Sequence, residues 1–157
     1  MDENVKLKLG IVSGGFDPIH CGHVRYLKAA KAMCDKLLVI LNGDSFLIRK
    51  KGYFVFNSEE RHEILLAMKV VDYVRIHNSD ADDVVDMLGW IYNEFNECEL
   101  IFMKGGDRSP LGKPIPEVNV CRELGIQIMY GVGGYDKPNS SSLVGAKAIQ
   151  SIKGVTV

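Results

Sequence analysis

Short apolar runs alternate with longer amphipathic stretches along this chain, one pair about every 30 residues, the length of a strand–helix–strand unit. That alternation constrains the fold more than any other feature. Strands joined by helix-length connections cannot close hairpins, so they pair in parallel. The apolar runs are Lys8–Val12, Lys36–Leu41, Tyr73–Ile76, Glu99–Met103 and Gln127–Tyr130. Lys36–Leu41 is apolar at consecutive positions, as a central strand covered on both faces should be. The expected fold is an α/β doubly wound sandwich with a five-stranded parallel sheet. Its crossovers should be right-handed and its ligands should bind above the strand ends.

The amphipathic stretches read as helices. Val24, Leu27, Ala30 and Met33 recur at helical spacing and predict a first helix over Val24–Met33. Asn57 or Ser58 can cap a second, with early glutamates suiting its dipole and Ile64, Leu65, Met68 and Val71 inward. A third is expected over Asp80–Asn96, burying Val84, Leu88, Ile91 and Phe95, with its leading acidic residues stabilising the dipole. Glu117–Leu124 is a short helix, and Asn139–Ser142 caps a last one with Leu143, Ala146 and Ile149 inward. Phe46–Phe56 reads as a mobile basic arm carrying Arg49, Lys50 and Lys51, able to bring cations to phosphates. His77 reads as a loop residue with no evident partner, and His62 as lying on a polar helix face.

At 157 residues the chain is expected to be a single domain, 1–157, with a real core. Nineteen Lys and Arg against 20 Asp and Glu leave a net charge of −1. Nothing in that balance suggests a nucleic-acid surface or a basic membrane patch, so an anion must be caught by a local site. Cys21, Cys34, Cys98 and Cys121 are scattered with no CxxC pair. That argues against a zinc or redox motif and for reduced thiols in a cytoplasm. Cys21 is expected to be a small packing residue. No leading apolar stretch resembles a signal peptide and no run is long enough to span a membrane.

The chemistry concentrates in Ser13-Gly14-Gly15-Phe16-Asp17-Pro18-Ile19-His20-Cys21-Gly22-His23, between the first strand and the first helix. Strand, glycine turn and helix in that order make a phosphate site. Gly14 and Gly15 can take positive φ and let a ligand approach the backbone. The following helix offers unpaired N–H groups and a positive dipole end. His20 and His23 lie three apart, so both can point one way, with Gly22 leaving room between them. A lone histidine there is usually a cap or a packed residue. A pair on an anion site can donate to phosphate oxygens as charge builds during transfer.

These residues resemble the HxGH signature of the nucleotidyltransferase superfamily of Rossmann-like enzymes, cytidylyltransferase-like proteins among them. The resemblance implies that His20 and His23 contact the nucleotide phosphates and stabilise the transferring α-phosphoryl group. It implies a nucleotide cradle from Gly14, Gly15, Phe16 and Asp17, and a phosphate-holding role for Lys50 or Lys51. Glu60-Arg61 is similar to the family's Glu-Arg before a Leu-rich helix and a Val-Asp, here Leu65-Leu66 and Val71-Asp72. Asp44 and Arg61 are accordingly candidate substrate-binding residues, although Arg61 could equally be a structural ion-pair partner.

Lys104-Gly105-Gly106-Asp107 follows the fourth strand at its C-terminal end. It resembles the same tetrapeptide in the adenylyltransferase domain that makes ADP-heptose, and places Lys104, Gly105 and Asp107 beside the nucleoside or the acceptor. Ser140, Ser141 and Ser142 resemble the segment that binds the β- and γ-phosphates. The match is partial, because no Arg follows at the family's spacing and Lys147 is the nearest cation.

The implied activity is transfer of a nucleoside monophosphate from ATP or CTP to a phosphorylated sugar or polyol, with release of pyrophosphate. Heptose 1-phosphate adenylyltransferases and glycerol-3-phosphate cytidylyltransferase are the two patterns it resembles, with an adenylyltransferase of coenzyme biosynthesis as an alternative. A nucleotide-binding sensor without turnover is a further alternative. The family implies Mg²⁺ bound through the nucleotide phosphates; no dedicated metal cage is visible. It also implies a homodimer, for which an apolar patch around the third helix is one place.

Overall fold

The structure is a computed structural model and describes residues 5–106 and 114–134. Five strands alternate with five helices: β1 (Lys8–Gly14), α1 (Cys21–Ala32), β2 (Lys36–Asn42), α2 (Asp44–Lys51), α3 (Ser58–Leu66), β3 (Tyr73–His77), α4 (Val85–Glu94), β4 (Glu99–Gly105), α5 (Val118–Leu124) and β5 (Gln127–Val132). All pairings are parallel, in the order β3-β2-β1-β4-β5. The expected α/β doubly wound, Rossmann-like architecture is present.

The core explains why the sheet is covered twice. Successive residues of a strand face opposite sides. Leu38 and Ile40 pack with Leu88 and Ile91 of α4 and Cys121 of α5. Leu37, Val39 and Leu41 pack with Leu27 and Ala30 of α1 and Leu65 of α3. Each such aliphatic side chain, fully buried, contributes roughly 1.5–3 kcal/mol of transfer free energy. The chain starts at the sheet centre, winds outward through β2 and β3, then returns to β4 on the other side of β1. The connections after β1 and β4 therefore diverge, and a crevice opens between the C-terminal ends of those strands.

Four expectations about local structure are corrected. Residues 44–51 of the basic segment form a helix, not an arm. Gly43 enters it in an extended conformation and Gly52, at φ 82°, closes it in the left-handed region that favours glycine. The acidic stretch 80–83 precedes α4 instead of opening it. Arg49 holds the Ser79 and Ala81 carbonyls and the Asp82 carboxylate, while the Asp83 carboxylate accepts from Val85 N. His77 is the buried last residue of β3 and not a loop residue, with Nε2 2.8 Å from Asp86 Oδ1. Cys21, expected to pack, is exposed at the start of α1.

Candidate active site

The turn from β1 to α1 is tight because its side chains fill the space that a Cβ would need. A Cβ on Gly14 would lie 3.0 Å from the Phe16 ring, and one on Gly15 would lie 2.7 Å from Leu47 Cδ2. A side chain at either position would need the Phe16 ring or the Leu47 side chain to shift. The positive φ expected of the two glycines falls on Phe16 instead, at 49°. That left-handed conformation costs a residue with a Cβ roughly 1–2 kcal/mol. Burial of the Phe16 ring, 4.9 Å from the His23 ring, offsets it.

His20 is the N-cap of α1, with extended backbone. Its Nδ1 accepts from Gly22 N at 3.0 Å, and His23 Nδ1 accepts from His20 N at 3.2 Å. The two imidazoles close a capping box on each other and stack with centroids 3.9 Å apart. The modest role of a histidine at a helix start is therefore met by the Nδ1 atom of each ring. An Nδ1 that accepts a main-chain N–H must present its lone pair, so the neutral ring carries its proton on Nε2. Both rings can then act as donors without first being protonated.

Oppositely charged side chains stitch the turn to its surroundings. Asp17 is buried; its two oxygens accept from Val55 N and Phe56 N, at 2.6 and 2.8 Å. Arg61 is buried and donates to Phe56 O, Gly15 O, Asn42 O and Asp44 Oδ1. Asp17, a candidate for the nucleotide, is enclosed and engaged with protein groups in this arrangement. Arg61, a candidate either for the substrate or for a structural ion pair, is enclosed too and makes an ion pair with Asp44.

The two candidate lysines separate. Lys51 Nζ donates to Asp17 O at 2.7 Å and lies 3.8 Å from Asp17 Oδ2. Burial lowers its ammonium pKa below the ordinary lysine range, against the opposing pull of Asp17. Lys50 stays exposed, its ammonium 5.7 Å above the Phe46 ring. The structure thus brings Lys51, not Lys50, to the turn. Asp44, first residue of α2, gives one oxygen to Arg61 and is partly exposed.

Lys104 and Gly105 belong to the end of β4, with Lys104 Nζ 5.0 Å from the Phe102 ring centroid. Asp107 and Ser140 to Ser142 lie outside the described residues, as does Lys147. Tyr26 was not anticipated. One turn after His23, it donates its hydroxyl to Met103 O at 2.7 Å and so ties α1 to β4 across the crevice. Its three-residue spacing from His23 was the available signal. Among the described residues no three His, Cys, Asp or Glu side chains come together in a way that could hold a metal ion. No helix among them is long and apolar enough to cross a membrane.

A family model described as cytidylyltransferase-like matches residues 11–109. The bifunctional protein HldE of Nitrobacter winogradskyi is 37% identical over 105 residues, which are 66% of this chain and 20% of that protein. The bifunctional protein HldE of Rhodopseudomonas palustris is 43% identical over 77 residues, 48% of this chain and 16% of that protein. The matches thus span a fifth or less of the length of these curated relatives. The crystal structure of the lipopolysaccharide core biosynthesis protein from Thermoplasma volcanium superposes with a TM-score of 0.63 at 25% identity. It covers 83% of this chain and 99% of that one.

Proposed function

The chain belongs to the cytidylyltransferase-like family, and on that premise we propose that it is a nucleotidyltransferase acting on a nucleoside triphosphate and a phosphorylated sugar or polyol. A phosphate oxygen of the acceptor attacks the α-phosphorus. The bond from that phosphorus to the bridging oxygen breaks, and pyrophosphate leaves with the electron pair. Such a reaction needs alignment and charge stabilisation more than a protein nucleophile. The observation that carries the reading is the engagement of both histidine Nδ1 atoms by main-chain N–H groups. It sets the neutral tautomer of both rings with the proton on Nε2, and His20 and His23 are proposed to donate from there to the non-bridging oxygens as charge grows, with no proton changing hands. Lys51 neutralises phosphate from the α2 side.

Lys104, Gly105 and Asp107 are assigned to the nucleoside or acceptor, and Ser140, Ser141 and Ser142 to the departing phosphates. Mg²⁺ bound by triphosphate oxygens and water would neutralise charge on the leaving group. The carboxylates near the turn fit that mode, since Asp17 is buried and Asp44 gives an oxygen to Arg61. A sugar phosphate is the favoured acceptor, from the HldE relatives and from the lipopolysaccharide core protein of similar fold. A single domain over 1–157 and a homodimer remain part of the proposal. Trp90, 72% exposed on α4, lies in the helix region expected to supply a dimer contact.

The test is pyrophosphate release with Mg²⁺, each of ATP, CTP, GTP and UTP, and a panel of sugar and polyol phosphates. Release dependent on one triphosphate and one acceptor supports the proposal. A triphosphate that raises the melting temperature yet releases nothing with any acceptor would favour a binding module without turnover.

A further inference from the structure

Burying a guanidinium is costly unless its N–H groups meet good acceptors. The Arg61 side chain is 0% exposed. Nε donates to Phe56 O at 2.9 Å, Nη1 to Gly15 O at 2.9 Å and Asn42 O at 2.6 Å, and Nη2 to Asp44 Oδ1 at 2.7 Å. These acceptors sit on four separate segments: the glycine turn, the end of β2, the first residue of α2 and the approach to α3. An arginine that merely balanced Asp44 would need one of them. The three carbonyls are extra, and those of Gly15 and Asn42 lie at the C-terminal ends of β1 and β2.

Two of the acceptors bear directly on the site. The Gly15–Phe16 peptide is trans, so its N–H points opposite to its carbonyl. Holding Gly15 O therefore aims Phe16 N–H away from Arg61. It also fixes the left-handed turn at Phe16, whose ring backs His23. On the other lip, Asp44 gives Oδ1 to Arg61 while its side chain is 34% exposed, so its carboxylate is held in place at the surface.

We infer that Arg61 is a positioning residue that sets the phosphate turn and the Asp44 carboxylate in one register. The inference rests on the nucleotidyl-transfer reading but not on which nucleotide is used. Arg61 touches no substrate; it acts through Gly15, Phe16 and Asp44. Lysine cannot replace it, since an ammonium lacks the planar fork that reaches four acceptors in different directions.

The test compares wild type with Arg61→Lys by melting temperature, by kcat and KM, and by ¹⁵N spectra of the histidine rings. The expected result is a folded variant whose kcat falls about 10²-fold, the order expected from misplacing a group by about 1 Å. The triphosphate KM should change little, and the ring nitrogens of His20 and His23 should shift. A folded Arg61→Lys with wild-type kcat and unchanged ring spectra overturns the inference. If Arg61→Lys does not fold, Asp44→Asn is measured, which leaves the three carbonyl bonds in place. Lowered kcat at unchanged triphosphate KM supports the inference, and wild-type kcat overturns it. If wild type shows no turnover with any pair, the functional reading fails. The ring spectra of the variants then still decide whether Arg61 sets the turn.

Discussion

Lys51 rests its ammonium on the main-chain carbonyl of Asp17, 2.7 Å away, while the Asp17 carboxylate turns to the N–H groups of Val55 and Phe56. The cation is thus docked at the turn by protein groups alone. Because burial lowers its pKa, Lys51 loses its charge at a lower pH than an ordinary lysine. Activity that depends on that charge should fall as pH rises through the lowered value. Lys51→Arg should move this alkaline limb upward, since guanidinium stays charged. Lys51→Ala should raise KM for the triphosphate or the acceptor at neutral pH. Steady-state kinetics over pH check both, and an unchanged alkaline limb in Lys51→Arg would remove Lys51 from the site.

The capping role of His20 and the donor role proposed for it can be separated by substitution. As N-cap it satisfies Gly22 N, and removing a cap typically costs about 0.5–2 kcal/mol. As an Nε2–H donor it should be worth roughly 10²–10³ in rate. His20→Ala should therefore lose both stability and rate. His20→Asn restores a good cap and should recover the melting temperature but not kcat. His23→Ala should lose a similar factor in rate. Recovery of kcat in His20→Asn would mean that the ring serves only the helix.

Much of this was legible in the residues, for identifiable reasons. Parallel strands buried on both faces leave consecutive apolar runs, so β1 to β5 were found, each short of its C-terminal end. Those ends were missed because Ser13-Gly14, Asn42 and Lys104-Gly105 are polar or small where the strands reach the site. Helix α2 was missed because its basic last turn and aromatic flanks resemble a solvated loop. What shows it to be a helix is the packing of Leu47 over Gly15, a long-range contact. The burial of Arg61 and Asp17 was likewise invisible, since most of their partners are main-chain groups of other segments, and local sequence says nothing about those.

Asp72 should govern part of the acid stability. Burial alone would raise its carboxyl pKa, but the hydrogen bonds from Lys31 Nζ and Leu37 N and the nearby Lys36 ammonium outweigh it, leaving it lowered. A carboxylate depressed in the folded state adds stability above its unfolded pKa of about 4, lost as pH falls through the folded value. Asp72→Asn should cost on the order of 1 kcal/mol at pH 7. The gap between the two melting curves should close progressively on acidification below pH ~4. A gap that stays constant into the acid range would show that shape, not charge, is what Asp72 contributes.

Gly15 and Leu47 test whether α2 is seated on the phosphate turn. Gly15 does not adopt the left-handed region, so alanine is permitted by its backbone. The obstacle is steric: the new Cβ would lie 2.7 Å from Leu47 Cδ2. Gly15→Ala should then destabilise by about 1–3 kcal/mol, as overpacking does. Leu47→Ala alone leaves a cavity and should destabilise by about 2–5 kcal/mol. Combined, the added methyl enters the space the leucine vacates, so the double variant should be more stable than the sum of the singles by at least about 0.5 kcal/mol. Denaturant unfolding of the four proteins measures that coupling. Simple additivity would show that the turn and α2 are energetically independent, and that Lys51 reaches Asp17 without help from the helix that carries it.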